Sequence, residues 1–406
     1  MVLPYLRPAL AQFGGYTPNP GHGSATAPRS LDHLDTNECP YDLPPELKEK
    51  LAWVYCNELE SNRYPDGSHA TLKAELAAYV QEGAGSAVAI QPQHITVGNG
   101  SDELIRSLII ATCVGGAGSV AVADPTFSMY GIIAETLGVP VHRGRRSPHT
   151  FALDLDSLQV HLDRSLPPSQ DLASVQDSAP PLRLLFVVHP NSPTANALTA
   201  TELDWLRQVP EDVLVVVDEA YFEFSQQTVV AEAIQRPNWV VMRTFSKGFR
   251  LAGHRVGYGV ANPDLIAALE RVRLPYNLPS FAQRAAIVAL QQRQALFQFL
   301  PELLQQRSIL AEALEQFPAF RVFPSDANFL FLQLQSQLQS PAQASPDPSP
   351  DPAAILAQIC AALGERGTLI RHTGGGLRIT VGSPAENERT IDRLRATLED
   401  LGLAQG

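Results

Sequence analysis

Between residues 94 and 261 the chain alternates short β-branched apolar runs with stretches of helical period. The runs are His94 to Val97, Ser119 to Ala123, Leu184 to His189, Val213 to Asp218, Trp239 to Thr244 and Val256 to Val260. Such alternation predicts an α/β fold, a mostly parallel sheet covered by helices. Leu214-Val215-Val216-Val217 is apolar at every position, so both faces of that strand are expected to be buried. From Pro279 to Phe317 the pattern becomes that of long helices, and from Phe320 to Leu334 it returns to strand-like alternation, the start of a smaller α+β unit. The expected division is 1–60 as an N-terminal segment contributing to the small domain, 61–279 as the large domain and 280–406 as the small domain. Two stretches interrupt this plan: Ser165 to Pro181, and Gln335 to Pro352 with its S-P-D-P-S-P-D-P run. Proline fixes φ and removes a donor, so both are expected to be exposed loops outside any sheet or helix.

Composition narrows the function classes. A length of 406 residues suits two domains. With 30 Lys and Arg against 42 Asp and Glu, the net charge of −12 argues against a nucleic-acid or anionic-membrane partner. A locally basic site is still compatible with it, because remote surface charge is screened over roughly 8 Å. Cys39, Cys56, Cys113 and Cys360 are scattered and form no C-x-x-C pair, so neither a disulfide framework nor a metal site is expected. Met1 to Pro8 shows no basic stretch leading into an apolar one, and no apolar run approaches about 18 residues. The expectation is a cytoplasmic protein.

The strongest chemical signal is the fourteen-residue string Thr244-Phe245-Ser246-Lys247-Gly248-Phe249-Arg250-Leu251-Ala252-Gly253-His254-Arg255-Val256-Gly257, which follows a strand. It sets a lysine among the small hydroxyls of Thr244 and Ser246 and several glycines, with Arg255 eight residues on. Schiff-base chemistry needs an unprotonated amine, so a lysine that starts near pKa ~10.4 must be depressed by burial or by nearby cations. The string resembles the lysine motif of the class I and II aminotransferases. In that family the lysine holds pyridoxal 5′-phosphate (PLP) and the arginine binds the cofactor phosphate, which implies the fold type I architecture of PLP-dependent transferases.

Further segments fall where that chemistry needs them. Asp218, in Asp218-Glu219-Ala220-Tyr221, ends the most apolar strand; it reads either as a helix cap or as the carboxylate that keeps the pyridine nitrogen protonated. Tyr221 is a candidate for the cofactor's phenolic oxygen or a packed core tyrosine. In His189-Pro190-Asn191-Ser192-Pro193-Thr194, Asn191 is the candidate donor to the same oxygen or simply a turn residue; the family's usual form has a second Asn at Ser192 and a Gly at Ala195. Gly100, Ser101 and Asp102 open a helical run after a strand, as a phosphate site or a helix cap does. Phe127 is the candidate to stack on the pyridine ring. The segment Asn62-Arg63-Tyr64-Pro65-Asp66-Gly67 resembles the one that lends a tyrosine, here Tyr64, to the neighbouring subunit's phosphate site, which implies a homodimer. Arg371 and Arg378 lie in strand-like contexts, where a planar guanidinium calls for an anionic partner.

Within the aminotransferases, the chain most resembles the histidinol-phosphate aminotransferase family. The resemblance rests on Leu34-Asp35-Thr36-Asn37-Glu38-Cys39-Pro40, Arg63-Tyr64-Pro65-Asp66, Gly100-Ser101-Asp102-Glu103 and the two late arginines. It implies that Arg371, Arg378, Asn37 and an early tyrosine, Tyr16, bind substrate. The implied reaction is glutamate plus imidazole-acetol phosphate giving 2-oxoglutarate and L-histidinol phosphate, in histidine biosynthesis. An aromatic aminotransferase and a threonine-phosphate decarboxylase remain as alternatives at this stage.

Overall fold

The computed structural model describes residues 5, 7, 14, 31–85, 88–163, 180–335 and 351–403. After a short strand β1 (Asp32–His33), the large domain contributes β2 (Ile95–Asn99), β3 (Ser119–Asp124), β4 (Val141–Arg145), β5 (Leu182–Val188), β6 (Leu214–Asp218), β7 (Trp239–Thr244) and β8 (Val256–Ala261). They form a seven-stranded sheet in the order β2-β8-β7-β6-β5-β3-β4. Only β8 runs antiparallel to its neighbours. The six strands expected from the pattern are all present, Trp239–Thr244 with the expected bounds and the other five with shifted ends. β4, Val-His-Arg-Gly-Arg, is additional; it is the edge strand and is mostly solvent-facing, so it has no apolar run to reveal it.

Side-chain alternation divides the core between the two faces of this sheet. Val215 and Val217 of β6 enter one cluster, and Leu214 and Val216 enter the other. The first cluster also takes Leu47, Leu51 and Val54 of the helix Pro45–Asn57 and Ala285 to Leu290 of the helix Ser280–Gln291. At about 1.5–3 kcal/mol for each fully buried large aliphatic side chain, these contacts hold both helices to the large sheet.

The second sheet is antiparallel and four-stranded, β12-β13-β10-β9, from β9 (Phe320–Phe323), β10 (Phe329–Leu334), β12 (Arg371–Thr373) and β13 (Gly376–Thr380). Leu330, Leu332, Leu377 and Ile379 bury one face against the helices Leu300–Glu315, Pro352–Glu365 and Pro384–Asp400. Strand β11 (Thr368–Leu369) pairs in parallel with β1, so the segment at 32–34 is built into the smaller unit while the helix at 45–57 packs on the larger. Residues 35–44 join the two.

The proline-rich loops need correction at their ends. Residues 336–350 and 164–179 lie outside the described residues. However, Pro352 is the first residue of a helix, where a missing N–H costs nothing, and the Asp351 carboxylate caps it by accepting from the Ala353 N–H at 3.0 Å. Pro181 also meets the sheet: its carbonyl accepts from the Ser119 N–H at 2.8 Å. Proline lacks the donor, and here only the acceptor is used. Among the described residues, no helix is long and apolar enough to cross a membrane, and no group of His, Cys, Asp or Glu is placed to hold a metal ion.

Candidate active site

Parallel strands deliver their carboxyl ends to one edge of the sheet, the usual place for a ligand crevice in open α/β folds. Here the residues following β2, β3, β5, β6 and β7 all line a cavity of about 390 Å³, closed on its other side by residues 36–38 and by the second sheet. The structure brings Asn37, Ser101, Asp102, Phe127, Asp218, Tyr221, Thr244, Ser246, Lys247, Arg255, Arg371 and Arg378 together in its wall.

Lys247 is partly buried, and its Nζ donates to the Thr36 carbonyl at 2.7 Å. Burial lowers its pKa to about 8; the positive charge of Arg378 assists, Glu38 opposes, and Arg255 adds a smaller push downward. The amine is thus tuned as Schiff-base chemistry requires, mainly by desolvation, and Arg378 is the more effective cation rather than Arg255.

Asp218 is buried at the end of β6, and burial raises its pKa to about 6. Two hydrogen bonds oppose the rise: Tyr130 Oη donates to Oδ2 at 2.6 Å, and the Ala220 N–H donates to Oδ1 at 3.0 Å. Tyr130, stacked on Phe186 with centroids 4.5 Å apart, is itself held by Phe127 edge-on. A carboxylate in this setting is stabilised as an anion by a cation placed against it.

The phenol of Tyr221 accepts from Asn37 Nδ2 at 2.9 Å. Burial raises its pKa, and Arg378, Asn37 and Ser192 each pull it back down. Asn37 is fixed in turn: its N–H donates to Thr380 Oγ1 at 3.0 Å, and its carbonyl accepts from Asn328 Nδ2 at 3.1 Å.

At the other end of the cavity, Gly100 opens the helix Gly100–Thr112. Its φ of +73° suits glycine, and a Cβ there would lie 2.5 Å from Arg255 Nη2. Gly257 is equally constrained, since its Cβ would stand 2.6 Å from the Ser101 nitrogen. The two glycines let a helix N-terminus and a guanidinium share one small volume. Arg255 donates to Ser246 Oγ at 3.3 Å and pairs with Asp102 at 3.3 Å; Ser246 Oγ also accepts from Thr244 Oγ1 at 2.9 Å. Backbone N–H groups, hydroxyls and a guanidinium are the kind of donors that could hold a phosphate dianion.

Opposite stand the two strand arginines. Arg371 on β12 and Arg378 on β13 are direct register partners, and both line the cavity. Like charges facing across an antiparallel pair repel, so this geometry favours an anion between them and the cavity. Arg378 donates to the Asp35 carbonyl at 2.5 Å and to Ser192 Oγ at 3.2 Å.

Some expected residues lie elsewhere. Asn191 is buried behind the cavity wall, its amide donating to the Pro125 carbonyl at 3.0 Å and to Thr194 Oγ1 at 2.6 Å. Ser192, the next residue, takes the place at the wall. Tyr64 is 81% exposed, stacked on Tyr276 at 4.7 Å, and outside the cavity. Tyr16 lies outside the described residues. Residue-type reasoning missed Ser192, Glu38, Tyr130 and the Thr36 carbonyl. Tyr130 was within reach, one helical step beyond Phe127 in the same string.

The arrangement fits PLP: a depressed lysine, a buried carboxylate, a glycine-lined phosphate cradle and a flanking aromatic share one cavity. The family model for aminotransferase class I and II matches residues 32–394. Histidinol-phosphate aminotransferase 2 of Nostoc sp. is 54% identical over 399 residues, covering 98% of both chains. The histidinol-phosphate aminotransferase of Synechococcus elongatus is also 54% identical, over 98% of each chain. Among solved structures, the histidinol-phosphate aminotransferase of Sinorhizobium meliloti in complex with PLP superimposes with a TM-score of 0.78 at 20% identity, covering 98% of this chain and 99% of that one. L-threonine-O-3-phosphate decarboxylase of Porphyromonas gingivalis shares the fold at a TM-score of 0.67 and 21% identity, over 91% of this chain and all of that one.

Proposed function

Since the chain belongs to the class I and II aminotransferases, we propose that it exchanges an amino group between glutamate and imidazole-acetol phosphate, giving 2-oxoglutarate and L-histidinol phosphate, a step of histidine biosynthesis. It is a PLP-dependent enzyme of fold type I. The observation that carries the substrate reading is the Arg371–Arg378 pair, which lines the same cavity as Lys247. One donor brings a phosphate and the other two carboxylates, and guanidinium forks match both.

When bound, PLP supplies an electron sink for the substrate carbanion. Lys247 would hold the cofactor, and its neutral amine would move a proton to and from the substrate carbon. Asp218 would face the pyridine nitrogen, with Tyr130 fixing its carboxylate. Tyr221, with Asn37 and Ser192 at its hydroxyl, would face the phenolic oxygen, and Phe127 would flank the ring. Gly100, Ser101, Asp102, Thr244, Ser246 and Arg255 would surround the cofactor phosphate. Arg371, Arg378, Asn37 and Tyr16 would hold substrate. Asn191 acts from behind the wall by bracing the turn that presents Ser192.

The reading extends to a cytoplasmic homodimer. Four free cysteines suit a reducing compartment. Tyr64 and Tyr276 lie stacked on the surface beside Leu274, which is 70% exposed, an apolar patch fit for a second subunit whose phosphate site Tyr64 would complete. Steady-state transamination with histidinol phosphate, histidinol, phenylalanine and threonine phosphate tests the function. Histidinol phosphate should be preferred by kcat/KM, and histidinol should be far poorer. Preference for phenylalanine makes it an aromatic aminotransferase, and carbon dioxide release from threonine phosphate without transamination makes it a decarboxylase.

A further inference from the structure

Three acids line the cavity: Glu38, Asp102 and Asp218. Two are engaged, Asp102 by Arg255 and Asp218 by Tyr130 and the Ala220 N–H. Glu38 differs. It is exposed at the rim, and the described residues offer its carboxylate neither a hydrogen-bond donor nor an ion-pair partner. Its backbone is nonetheless fixed in place. Thr36, two residues earlier, accepts from Lys247, and Asn37 is hydrogen-bonded to Tyr221, Thr380 and Asn328. Glu38 and Lys247 line the same cavity, and the Glu38 charge opposes the fall in the Lys247 pKa.

The phosphorylated donor has three polar parts. Its phosphate suits the arginines and its amine goes to the position of the Lys247 amine. The remaining part is an imidazole, which offers N–H donors and carries a positive charge below a pKa of about 6.5. An acceptor that is already anionic and has no hydrogen bond to give up is its natural complement. We propose that Glu38 is the specificity-determining acceptor for the imidazole ring of the phosphorylated donor. This rests on the function proposed above. Glutamate, the other donor, has no group for this carboxylate and brings two negative charges that it repels. Glu38 therefore acts in opposite senses on the two donors, a bias that confers ring selectivity at the expense of glutamate affinity.

The test uses holoenzyme and follows each half-reaction by the cofactor's absorbance in single turnover. Three donors are compared: histidinol phosphate, glutamate, and phenylalaninol phosphate, which keeps phosphate and amine but replaces the imidazole with phenyl. In Glu38→Ala the kcat/KM ratio of histidinol phosphate to phenylalaninol phosphate should fall about tenfold to a hundredfold, the range of a hydrogen bond to a charged group. Glu38→Gln, which keeps an acceptor oxygen without the charge, should lose less, and in both variants kcat/KM for glutamate should rise. The inference is overturned if that ratio is unchanged in both variants, or if all three donors decline together. Wild-type holoenzyme that fails to use histidinol phosphate overturns the proposed function as well, so the wild-type arm reads the one and the variant arms the other.

Discussion

The two ends of the cavity are built in different ways. At the glycine-lined end the described groups of this chain come from one sheet: Gly100, Ser246 and Arg255 flank the ends of β2, β7 and β8, and a Cβ added to Gly100 or Gly257 would stand 2.5 Å from Arg255 Nη2 or 2.6 Å from the Ser101 nitrogen. At the arginine end the wall is assembled from distant parts of the chain. Arg378 reaches the Asp35 carbonyl across 343 positions, and Lys247 reaches Thr36 across 211. The first end is set by close packing, the second by a few polar contacts between separately folded pieces. This division suits an enzyme that keeps one cofactor and exchanges two unlike donors.

The largest effect should come from the residue both ends share. Lys247→Ala should lower turnover by at least about a thousandfold, in the range of a lost proton-transfer group. It should also abolish the visible absorbance of the lysine-bound cofactor; a borohydride-reducible adduct surviving in the variant would assign the cofactor to another lysine. Next is Arg378→Ala. Loss of one partner from a buried charged contact costs about 2 to 5 kcal/mol, so both half-reactions should slow by about thirtyfold to several thousandfold in kcat/KM. Arg378→Lys should recover only part, because an ammonium lacks the bidentate fork. An effect confined to one donor would show that the arginines divide the anions between them.

Gly100→Ala tests the packed end. A left-handed conformation costs a non-glycine residue about 1–2 kcal/mol before any clash with Arg255 is counted. PLP affinity should fall roughly tenfold or more, by titration of the apoprotein, while KM for the donors changes little. A variant whose KM rises and whose cofactor affinity holds would reverse the assignment of the two ends. The smallest effect concerns pH. Only the neutral Lys247 amine captures the cofactor aldehyde, so capture by the apoprotein should accelerate as pH rises through about 8 and then level off, instead of climbing toward the ordinary lysine value. Because Arg378 helps to lower this pKa, Arg378→Ala should move the midpoint upward; an unmoved midpoint would mean that the Arg378 charge does not reach the lysine.

What the sequence discloses follows the same division. β6 is legible because burial on both faces leaves an unbroken apolar run, and Lys247, Asp218 and Gly100 are legible because each sits at a fixed distance from a strand end. β4 was not, since an edge strand needs no apolar alternation. The choice between Asn191 and Ser192 was not legible either. Adjacent turn residues point different ways, the amide is the better donor by type, and only packing against Pro125 and Thr194 turns it away from the cavity. The Thr36 carbonyl has no side-chain signature at all. The helix at 280–291 illustrates the limit from the other side: the helical pattern from Pro279 onward is plain, but the sheet it covers is a matter of tertiary contact.

The lone antiparallel strand β8 has a consequence for the order in which the site is assembled. Because β8 reverses after β7 through the eleven-residue loop 245–255, which carries both Lys247 and Arg255, bringing these two residues to the cavity costs little chain entropy. The contacts of residues 35–37 span more than half the chain, and strand β1 waits for a partner at 368. Contacts of long sequence separation form late. By that argument residues 35–37 are expected to be seated after the 245–255 loop has closed.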